Sequence, residues 1–280
     1  MDWSGNDLTR FCSEVFAHDH APDLFVSEAR FGLFRLLPIL SSFAGNDPKI
    51  VEIGAGSCIL SAYLASKGLS VTAVEPLQSE FDYFSDMQAT ILEFSRQRGF
   101  DLRLIRATGE NFHAPGQFDI AFTINALEHM PDPLATLDNM YDSLTPGGAL
   151  LAHAPNYSIP FDSHFKIVLI TRNKRINGWL YRSIVSRRPA IWDGLNFIRC
   201  VDVRRHLASR GTTFVFSRTT MADSVRRFSD DQFFDKRMPS WLRAAAALLR
   251  YARLASALEL VPERWQSPME VLIRKPTHSR

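Results

Sequence analysis

Cysteine is scarce in this 280-residue sequence, and no two cysteines have the spacing of a metal centre. Cys12, Cys58 and Cys200 lie far apart, so the sequence predicts reduced thiols and excludes a disulfide framework. Uncharged apolar runs of 18 residues are also lacking, which excludes an obvious membrane span. Residues 1–10 contain two acids and no apolar core, so we expect no secretory signal and a cytoplasmic protein.

A strong charge of either sign is lacking too. The 32 basic and 30 acidic side chains give a formal net charge of +2, and the basic residues do not alternate with aromatic ones. A nucleic-acid partner is therefore not expected. The chain does contain 46% hydrophobic residues, enough for a full core in one large domain or in one domain with a sizeable insertion.

The most informative segment is 51–59, which reads Val-Glu-Ile-Gly-Ala-Gly-Ser-Cys-Ile, followed by 71–75, Val-Thr-Ala-Val-Glu. This pattern predicts a strand, a glycine turn, a helix and a second strand that ends in an acid. Gly54 and Gly56 lack the Cβ that would hold a ligand away from the backbone, and they tolerate the dihedral angles of a sharp turn. Glu75 would stand at the carboxyl end of its strand, where a carboxylate can accept both ribose hydroxyls. The segment therefore predicts a nucleotide-type pocket.

Two cofactors are compatible with such a pocket. A dinucleotide fingerprint has a third glycine, and Ile59 occupies that position here. Glu52 would repel a diphosphate, whereas it would attract the ammonium and sulfonium groups of S-adenosylmethionine. The residues favour S-adenosylmethionine, and they leave two alternatives: a dinucleotide-dependent oxidoreductase, and a non-catalytic, cofactor-binding regulatory protein.

Strands and helices alternate along the chain, which predicts an α/β fold with a parallel sheet and helices on both faces. The last two strands come late and no helix follows them, which favours an antiparallel hairpin at one edge of the sheet. Apolar runs predict strands at 49–53, 70–74, 102–106, 118–124, 149–154, 212–216 and 270–274, with the principal helices at 27–43, 57–67, 79–98, after Pro133, and at 202–210.

The predicted organisation is a Rossmann-like core with a cap built from C-terminal insertions. The divisions are 1–45 for an N-terminal helical segment, 46–156 for the cofactor-binding core, 157–200 for a basic cap insertion, 201–217 and 269–275 for the closing helix and strands of the core, and 218–268 for a second, helical insertion.

Six segments of the core occur in a characteristic order: 51–59, 73–76, 108–112, 118–119, 125–133 and 144–148. In order and spacing they resemble class I S-adenosylmethionine-dependent methyltransferases, of the group that includes the ubiquinone-biosynthesis O-methyltransferases. The resemblance covers about residues 45–156 and implies a seven-stranded, mostly parallel sheet with a reversed last strand. The cofactor-binding residues that it implies are Glu52, Gly54 and Gly56 at the methionine end, Glu75 at the ribose, Thr108, Gly109 and Glu110 at the adenine, Asn125 and Ala126 beneath the sulfonium, and Ala55 and Pro76 beside them.

The sequence departs from this group at two positions. Many relatives carry Asp where this chain has Thr108, and glycine where it has Cys58. The first departure puts the side-chain hydrogen bond to adenine in doubt, although the backbone of Gly109 could supply one.

His129 and His164 are the candidate catalytic residues. A sulfonium methyl group is already activated, so the protein must mainly align the acceptor and remove its proton. His129 follows strand 118–124 and His164 follows the next strand, so the two could converge at the carboxyl edge of the sheet. Each also has a structural interpretation, as a helix-start or surface-loop histidine. His153 alternates with apolar neighbours inside a strand, and we assign it to structure.

The resemblance also offers a metal hypothesis. Some relatives hold a divalent ion through a Glu-x-x-Glu-His segment and a later histidine, and the ion lowers the pKa of an acceptor hydroxyl. Here Glu128, His129 and His164 match, whereas Asn125 replaces the first acid. A divalent metal ion is thus the weaker alternative to acid–base histidines.

The two insertions bear on the acceptor. Residues 157–200 are basic and could meet a phosphate, a carboxylate or a diphosphate-linked glycan. Residues 240–260 predict a helix with Arg243, Arg250 and Arg253 on one face, which is typical of a helix that caps a pocket or a dimer seam, or of one in peripheral contact with a membrane. We expect O-methylation of a small molecule or of a lipid- or glycan-linked precursor, with the insertions choosing the acceptor.

Overall fold

A seven-stranded sheet with one reversed strand forms the centre of the protein. The computed structural model describes residues 3–16, 23–76 and 82–277, with the backbone alone at 82 and 83. The strands are β1 (Lys49–Ile53), β2 (Ser70–Val74), β3 (Leu102–Ile105), β4 (Phe118–Ile124), β5 (Leu144–Ala154), β6 (Phe161–Asp162), β7 (Ile167–Val168), β8 (Phe214–Phe216) and β9 (Met269–Arg274).

The strand order in the large sheet is β3-β2-β1-β4-β5-β9-β8. The pairs from β3 to β5 are parallel, and β9 is antiparallel to both of its neighbours, β5 and β8. The predicted sheet, with its reversed last strand, is therefore confirmed. The order reverses between β1 and β4, and open α/β sheets bind ligands at the carboxyl ends of the strands beside such a switch point.

Helices cover both faces of the sheet, as predicted. On one face lie α1 to α4, whose Leu33, Ile59 and Ile91 pack with Ile50 and Phe122 of the sheet. On the other face, α5 and α9 form a second core with the opposite side of the same strands. The helices are α1 (Gly5–Val15), α2 (Asp23–Ser42), α3 (Ile59–Ser66), α4 (Asp82–Arg98), α5 (Pro133–Ser143), α6 (Lys174–Leu180), α7 (Arg182–Val185), α8 (Pro189–Gly194), α9 (Cys200–Ser209), α10 (Thr220–Asp230), α11 (Gln232–Arg237) and α12 (Ser240–Tyr251).

Both insertions have small cores of their own. Residues 157–200 fold as the β6–β7 hairpin and helices α6 to α8, around a cluster that includes Phe165 and Trp192. Residues 218–268 contain α10 to α12 and two short 3-10 helices, with Val225, Phe228 and Ala246 buried at the centre. The two insertions thus form separate clusters, which the edge-to-face contact of Phe161 with Trp241 joins, with ring centroids 5.8 Å apart.

A buried arginine links the second insertion to the core. Arg35 of α2 donates to Asp223 of α10 at 2.5 Å and to Glu270 of β9 at 2.6 Å. Its side chain is 8% exposed. Asp223 would keep Arg226, at 2.8 Å, after loss of the guanidinium, but Glu270 would lose the cation that it pairs with in a poorly solvated place, which is destabilising.

The predicted helix over 240–260 is too long. Helix α12 ends at Tyr251, and Arg253 adopts the left-handed backbone at φ +55° before a 3-10 helix, 255–260. Arg253 therefore does not share a helical face with Arg243 and Arg250. The start of the predicted helix 79–98 lies outside the described residues, and the described part begins at Asp82.

Within residues 3–16, 23–76 and 82–277, no helix has both the length and the apolar character that a bilayer crossing requires.

Candidate active site

One cavity of about 620 Å³ lies at the carboxyl ends of β1, β2, β4 and β5. Its volume is within the range of ordinary ligand pockets. All the site residues predicted from the sequence line this cavity: Glu52, Gly54, Ala55, Gly56, Glu75, Pro76, Thr108, Gly109, Glu110, Asn125, Ala126, Glu128, His129 and His164.

The glycine turn after β1 needs its glycines for conformation and for packing. Gly54 and Gly56 have φ angles of +76° and +50°. A Cβ on Gly54 would lie 2.4 Å from the Cβ of Ala126, so this glycine lets the segment after β4 approach β1. Cys58 is also left-handed, at φ +64°, a conformation that favours glycine, as the resemblance described above leads one to expect at this position.

Two acids are buried beside this turn. Glu75 accepts a hydrogen bond from the backbone N–H of Gly56 at 2.8 Å, and Glu52 accepts one from the hydroxyl of Ser61 at 2.5 Å. Burial raises the pKa of Glu52 to about 8 and that of Glu75 to about 7. Two acids that are costly to ionise without a nearby cation fit a ligand that carries positive charge, as S-adenosylmethionine does.

The predicted adenine edge is a short 3-10 helix, 109–111. Asn139 of α5 donates to the carbonyl oxygens of Gly109 and Glu110 at 3.1 and 2.8 Å, which fixes this segment. A Cβ on Gly109 would meet Thr136 at 2.5 Å, so the glycine allows α5 to pack closely here. The backbone of the segment is thereby held at the rim of the cavity.

The structure brings the two predicted imidazoles together. The Nε2 atoms of His129 and His164 are 3.2 Å apart. Glu128, the neighbour of His129, is buried, and its Oε1 lies 3.9 Å from His129 Nε2. Burial, helped by the charge of His164, lowers the pKa of His129 to about 4, whereas burial raises the pKa of Glu128 to about 7.

Asp162 is a site residue that the sequence reasoning missed. It is fully buried, and its Oδ2 lies 3.2 Å from His164 Nδ1 and accepts from the hydroxyl of Tyr157 at 2.8 Å. Burial opposes charge on His164, but the hydrogen bond and charge of Asp162 outweigh it and raise the pKa of the imidazole. The Asp-x-His spacing in the β6–β7 hairpin was the available signal.

A second polar cluster on the cavity wall was also missed. Glu28 of α2 accepts from Arg237 at 2.7 Å, from Arg227 at 3.2 Å and from Asn125 at 2.8 Å. His153, assigned to structure from the sequence, lines the same cavity and contacts Asn125. Glu28 is separated from the two arginines by about 200 positions, so no local pattern could reveal the cluster.

The remaining wall of the cavity is largely apolar and comes from α2 and from the second insertion. Among the eight basic residues of the first insertion that the sequence pointed to, Arg188 alone lines the cavity. The apolar lining from 218–268 consists of Met221, Val225, Phe228, Phe234, Met238, Leu242, Ala245, Ala246, Leu249 and Leu258.

Comparison with known proteins shows the family. A family model described as a methyltransferase domain matches residues 26–211. An uncharacterized protein of Mycobacterium tuberculosis is 29% identical over 283 residues, which cover 96% of this chain and 94% of that protein. The ubiquinone biosynthesis O-methyltransferase of Idiomarina loihiensis is 25% identical over 166 residues, 57% of this chain and 59% of the enzyme.

A solved structure shows the same fold. Phosphoethanolamine N-methyltransferase 2 of Haemonchus contortus, in complex with S-adenosyl-L-methionine, superposes with a TM-score of 0.53 at 15% identity, covering 98% of this chain and 57% of the enzyme. The family model favours a methyltransferase over the two alternatives left open by the sequence, an oxidoreductase and a non-catalytic binding protein. The chain therefore belongs to the methyltransferase domain family and is an S-adenosylmethionine-dependent methyltransferase.

Proposed function

We propose that this enzyme methylates an oxygen atom of an acceptor with an apolar body, and that His129 and His164 handle the proton of the acceptor hydroxyl. One observation supports this above all: the pair of imidazoles, the glycine turn and the apolar wall of the second insertion line a single cavity. An acceptor on the apolar wall and a cofactor on the glycine turn would then meet beside the imidazoles.

S-adenosylmethionine supplies a methyl group that is already activated, so the residues of this chain bind, orient and deprotonate. Glu75 would accept hydrogen bonds from the ribose hydroxyls, and the backbone at Gly109 would border the adenine. His129 is neutral near pH 7 because burial lowers its pKa to about 4, so it passes a proton from the acceptor on to His164, the stronger base of the pair. The 3.2 Å between the Nε2 atoms lets His164 share that proton.

Asp162 stabilises the positive charge that results on His164. Its carboxylate faces Nδ1 of His164, so this nitrogen donates and Nε2 is directed to His129. A positive charge on His164 is stabilised by a buried carboxylate, which the hydroxyl of Tyr157 and the backbone N–H of Phe165 hold in place. The arrangement moves charge away from the acceptor oxygen once the proton has left it.

The acceptor is a lipid-like or other largely apolar molecule in this proposal. The wall from 218–268 offers side chains such as Val225, Phe228 and Leu249, which stabilise an apolar ligand by removing its surface from water. The arginines on the cavity wall are already engaged: Arg227 and Arg237 with Glu28, and Arg188 with the carbonyl oxygen of His164. A strongly anionic acceptor is therefore disfavoured.

A divalent ion held by Glu128, His129 and His164 is the second candidate mechanism. One ligand atom from each of these residues lies within 4.8 Å of the others, and Glu128 Oε2 has no hydrogen-bond partner among the described residues. Two imidazole nitrogens bound to one ion are typically about 3 to 3.5 Å apart. The donor set fits two histidines and one carboxylate, and such an ion would lower the pKa of an acceptor hydroxyl.

Methyl transfer to a matched set of acceptors tests the proposal. The set pairs a phenol bearing a long alkyl tail with the same molecule lacking the tail, and with the corresponding aniline. Release of S-adenosylhomocysteine should be fastest with the tailed phenol. Faster transfer to the aniline, or no effect of the tail, would contradict oxygen methylation or the apolar acceptor.

Treatment with a chelator separates the two mechanisms. Activity that disappears with chelator and returns only with magnesium, manganese or zinc supports the ion. Activity that chelator does not change supports the acid–base pair.

A further inference from the structure

His153 occupies an unexpected position for a strand residue. It pairs with Ile124 across β4 and β5, and its carbonyl oxygen accepts from the backbone N–H of Asn125 at 2.9 Å. Its side chain is 2% exposed yet lines the cavity, where the ring of Phe31 lies 5.0 Å away. A buried polar ring on a ligand cavity needs a hydrogen-bond partner for each nitrogen.

A chain of hydrogen bonds fixes which nitrogen of His153 carries the proton. The Glu28 carboxylate accepts from the amide NH2 of Asn125 at 2.8 Å, so the amide oxygen faces the other way. That oxygen lies 3.1 Å from His153 Nδ1, which must therefore carry a proton and donate it. Glu28 is held in turn by Arg227 and Arg237. Asn125 tolerates the left-handed backbone, φ +52°, from which it makes both contacts.

The other nitrogen of His153 is consequently an acceptor without a donor. Burial lowers the pKa of His153 well below its ordinary value, and the charges of Arg35 and Arg227 lower it further, so the ring is neutral. Nε2 then carries a lone pair, and it has no hydrogen-bond partner among the residues that the structure describes. Its neighbours cover it, so a ligand must shift them slightly to reach it. A buried acceptor in this state costs free energy until a donor reaches it.

The sheet order indicates which ligand supplies that donor. The predicted cofactor residues lie at the end of β1 and in the segments that follow β1, β2, β3 and β4, whereas His153 lies on β5, beyond β4. Phe31 of α2 and Arg227 of α10 pack here, and the cation of Arg227 lies 4.3 Å from the centre of the Phe31 ring. This side of the cavity continues into the apolar wall of the second insertion.

We propose that Nε2 of His153 accepts a hydrogen bond from a hydroxyl or N–H group of the methyl acceptor, with Asn125 and Glu28 as positioning residues. This inference rests on the proposed function in one respect, that the acceptor occupies the side of the cavity beyond β4. It identifies the acceptor as a molecule with a donor group beside its apolar body. An ether or ester of the same shape would leave the lone pair unsatisfied.

Phenol and anisole are suitable probes because they share a ring, while phenol alone can donate a hydrogen bond. The full chain, with its eight histidines labelled with nitrogen-15, is titrated with each probe, first alone and then with saturating S-adenosylhomocysteine. The His153→Phe variant assigns the His153 resonances. We expect phenol, and not anisole, to shift the Nε2 resonance of His153 towards its hydrogen-bonded position. Phenol should bind His153→Phe roughly two- to tenfold more weakly, with the affinity for anisole unchanged.

The exposed His113 provides the matched control, since His113→Gln should leave the phenol response unchanged. Equal shifts with both probes, or no shift with either, would overturn the proposal. A shift caused by S-adenosylhomocysteine alone would assign the donor to the cofactor and overturn it too. If His153→Phe folds poorly, His153→Gln provides the assignment instead. Failure of the proposed function would appear separately, as absent methyl transfer, because the phenol titration is read on the cofactor-free chain.

Discussion

Replacement of Glu75 by Gln is the sharpest test of how the cofactor is held. Glutamine keeps the shape of the side chain and can still accept from the Gly56 N–H, so the turn should persist. It removes the charge that would strengthen two hydrogen bonds to the ribose. A hydrogen bond to a charged group contributes about 1.5 to 3 kcal/mol, so the affinity for S-adenosylhomocysteine should fall about ten- to a hundredfold.

The same residue predicts how this affinity varies with pH. Burial raises the pKa of Glu75 to about 7, so its ionised fraction falls from about nine-tenths at pH 8 to about one-tenth at pH 6. If the ribose needs the carboxylate, affinity falls about tenfold over this range. The stability of the free enzyme changes in the opposite sense. The folded pKa is above the unfolded value, so the contribution of Glu75 to stability is present below pH 4.5 and is lost as the pH rises through about 7.

Calorimetry at pH 6, 7 and 8 measures both effects. Glu52, whose pKa burial raises to about 8, also titrates, so the difference between wild type and Glu75→Gln isolates the contribution of Glu75. The exposed Glu14→Gln is the control and should bind like the wild type. The reasoning fails if Glu75→Gln binds within twofold of the wild type, or if both proteins show the same pH dependence.

Three further predictions concern catalysis, the acceptor and stability. Ala variants of His129 or His164 should bind S-adenosylhomocysteine normally, and their turnover should fall by a factor of about 10² to 10⁴. Weaker cofactor binding, measured by calorimetry, would show that these histidines have a structural role instead. Phe228→Ala should lower kcat/KM for a tailed phenol at least fivefold, because the ring forms part of the apolar wall, and should leave kcat/KM for the tail-less phenol unchanged. Equal losses with both phenols would show that the tail binds elsewhere. Arg35→Met should lower the free energy of unfolding in urea by about 3 to 5 kcal/mol, whereas the exposed Arg96→Met should leave it nearly unchanged. Similar values for the two variants would show that the buried ion pairs are dispensable.

The strands of the core could be predicted closely from the sequence. The bounds of 49–53, 70–74 and 118–124 coincide with β1, β2 and β4, because each is an apolar run between residues that end a strand. The helix predicted over 240–260 was too long, since Arg253 looks like a helical residue in sequence but turns left-handed where the chain leaves α12. Side-chain periodicity carries no information on such a local reversal.

The candidate site could be predicted in part. The two histidines were found because both follow parallel strands, whose ends meet at one edge of the sheet. Asp162, Glu28 and the role inferred for His153 were missed. His153 looks like a strand residue, and only the approach of α2 and α10, from distant parts of the chain, turns its position into the wall of a cavity.

The place of β9 in the sheet has a consequence for biosynthesis. The strand lies between β5 and β8, so a growing chain exposes the hydrogen-bonding edge of β5 until residues 269–274 leave the ribosome. An unpaired strand edge can pair with other chains, and contacts distant in sequence form slowly. Residues 218–268 form a long insertion between β8 and β9. Closing this loop costs little more conformational entropy than closing a short one, because the closure entropy grows only with the logarithm of loop length. Until β9 pairs with β5 and Glu270 reaches Arg35, the nascent protein is therefore prone to aggregation through this exposed strand edge.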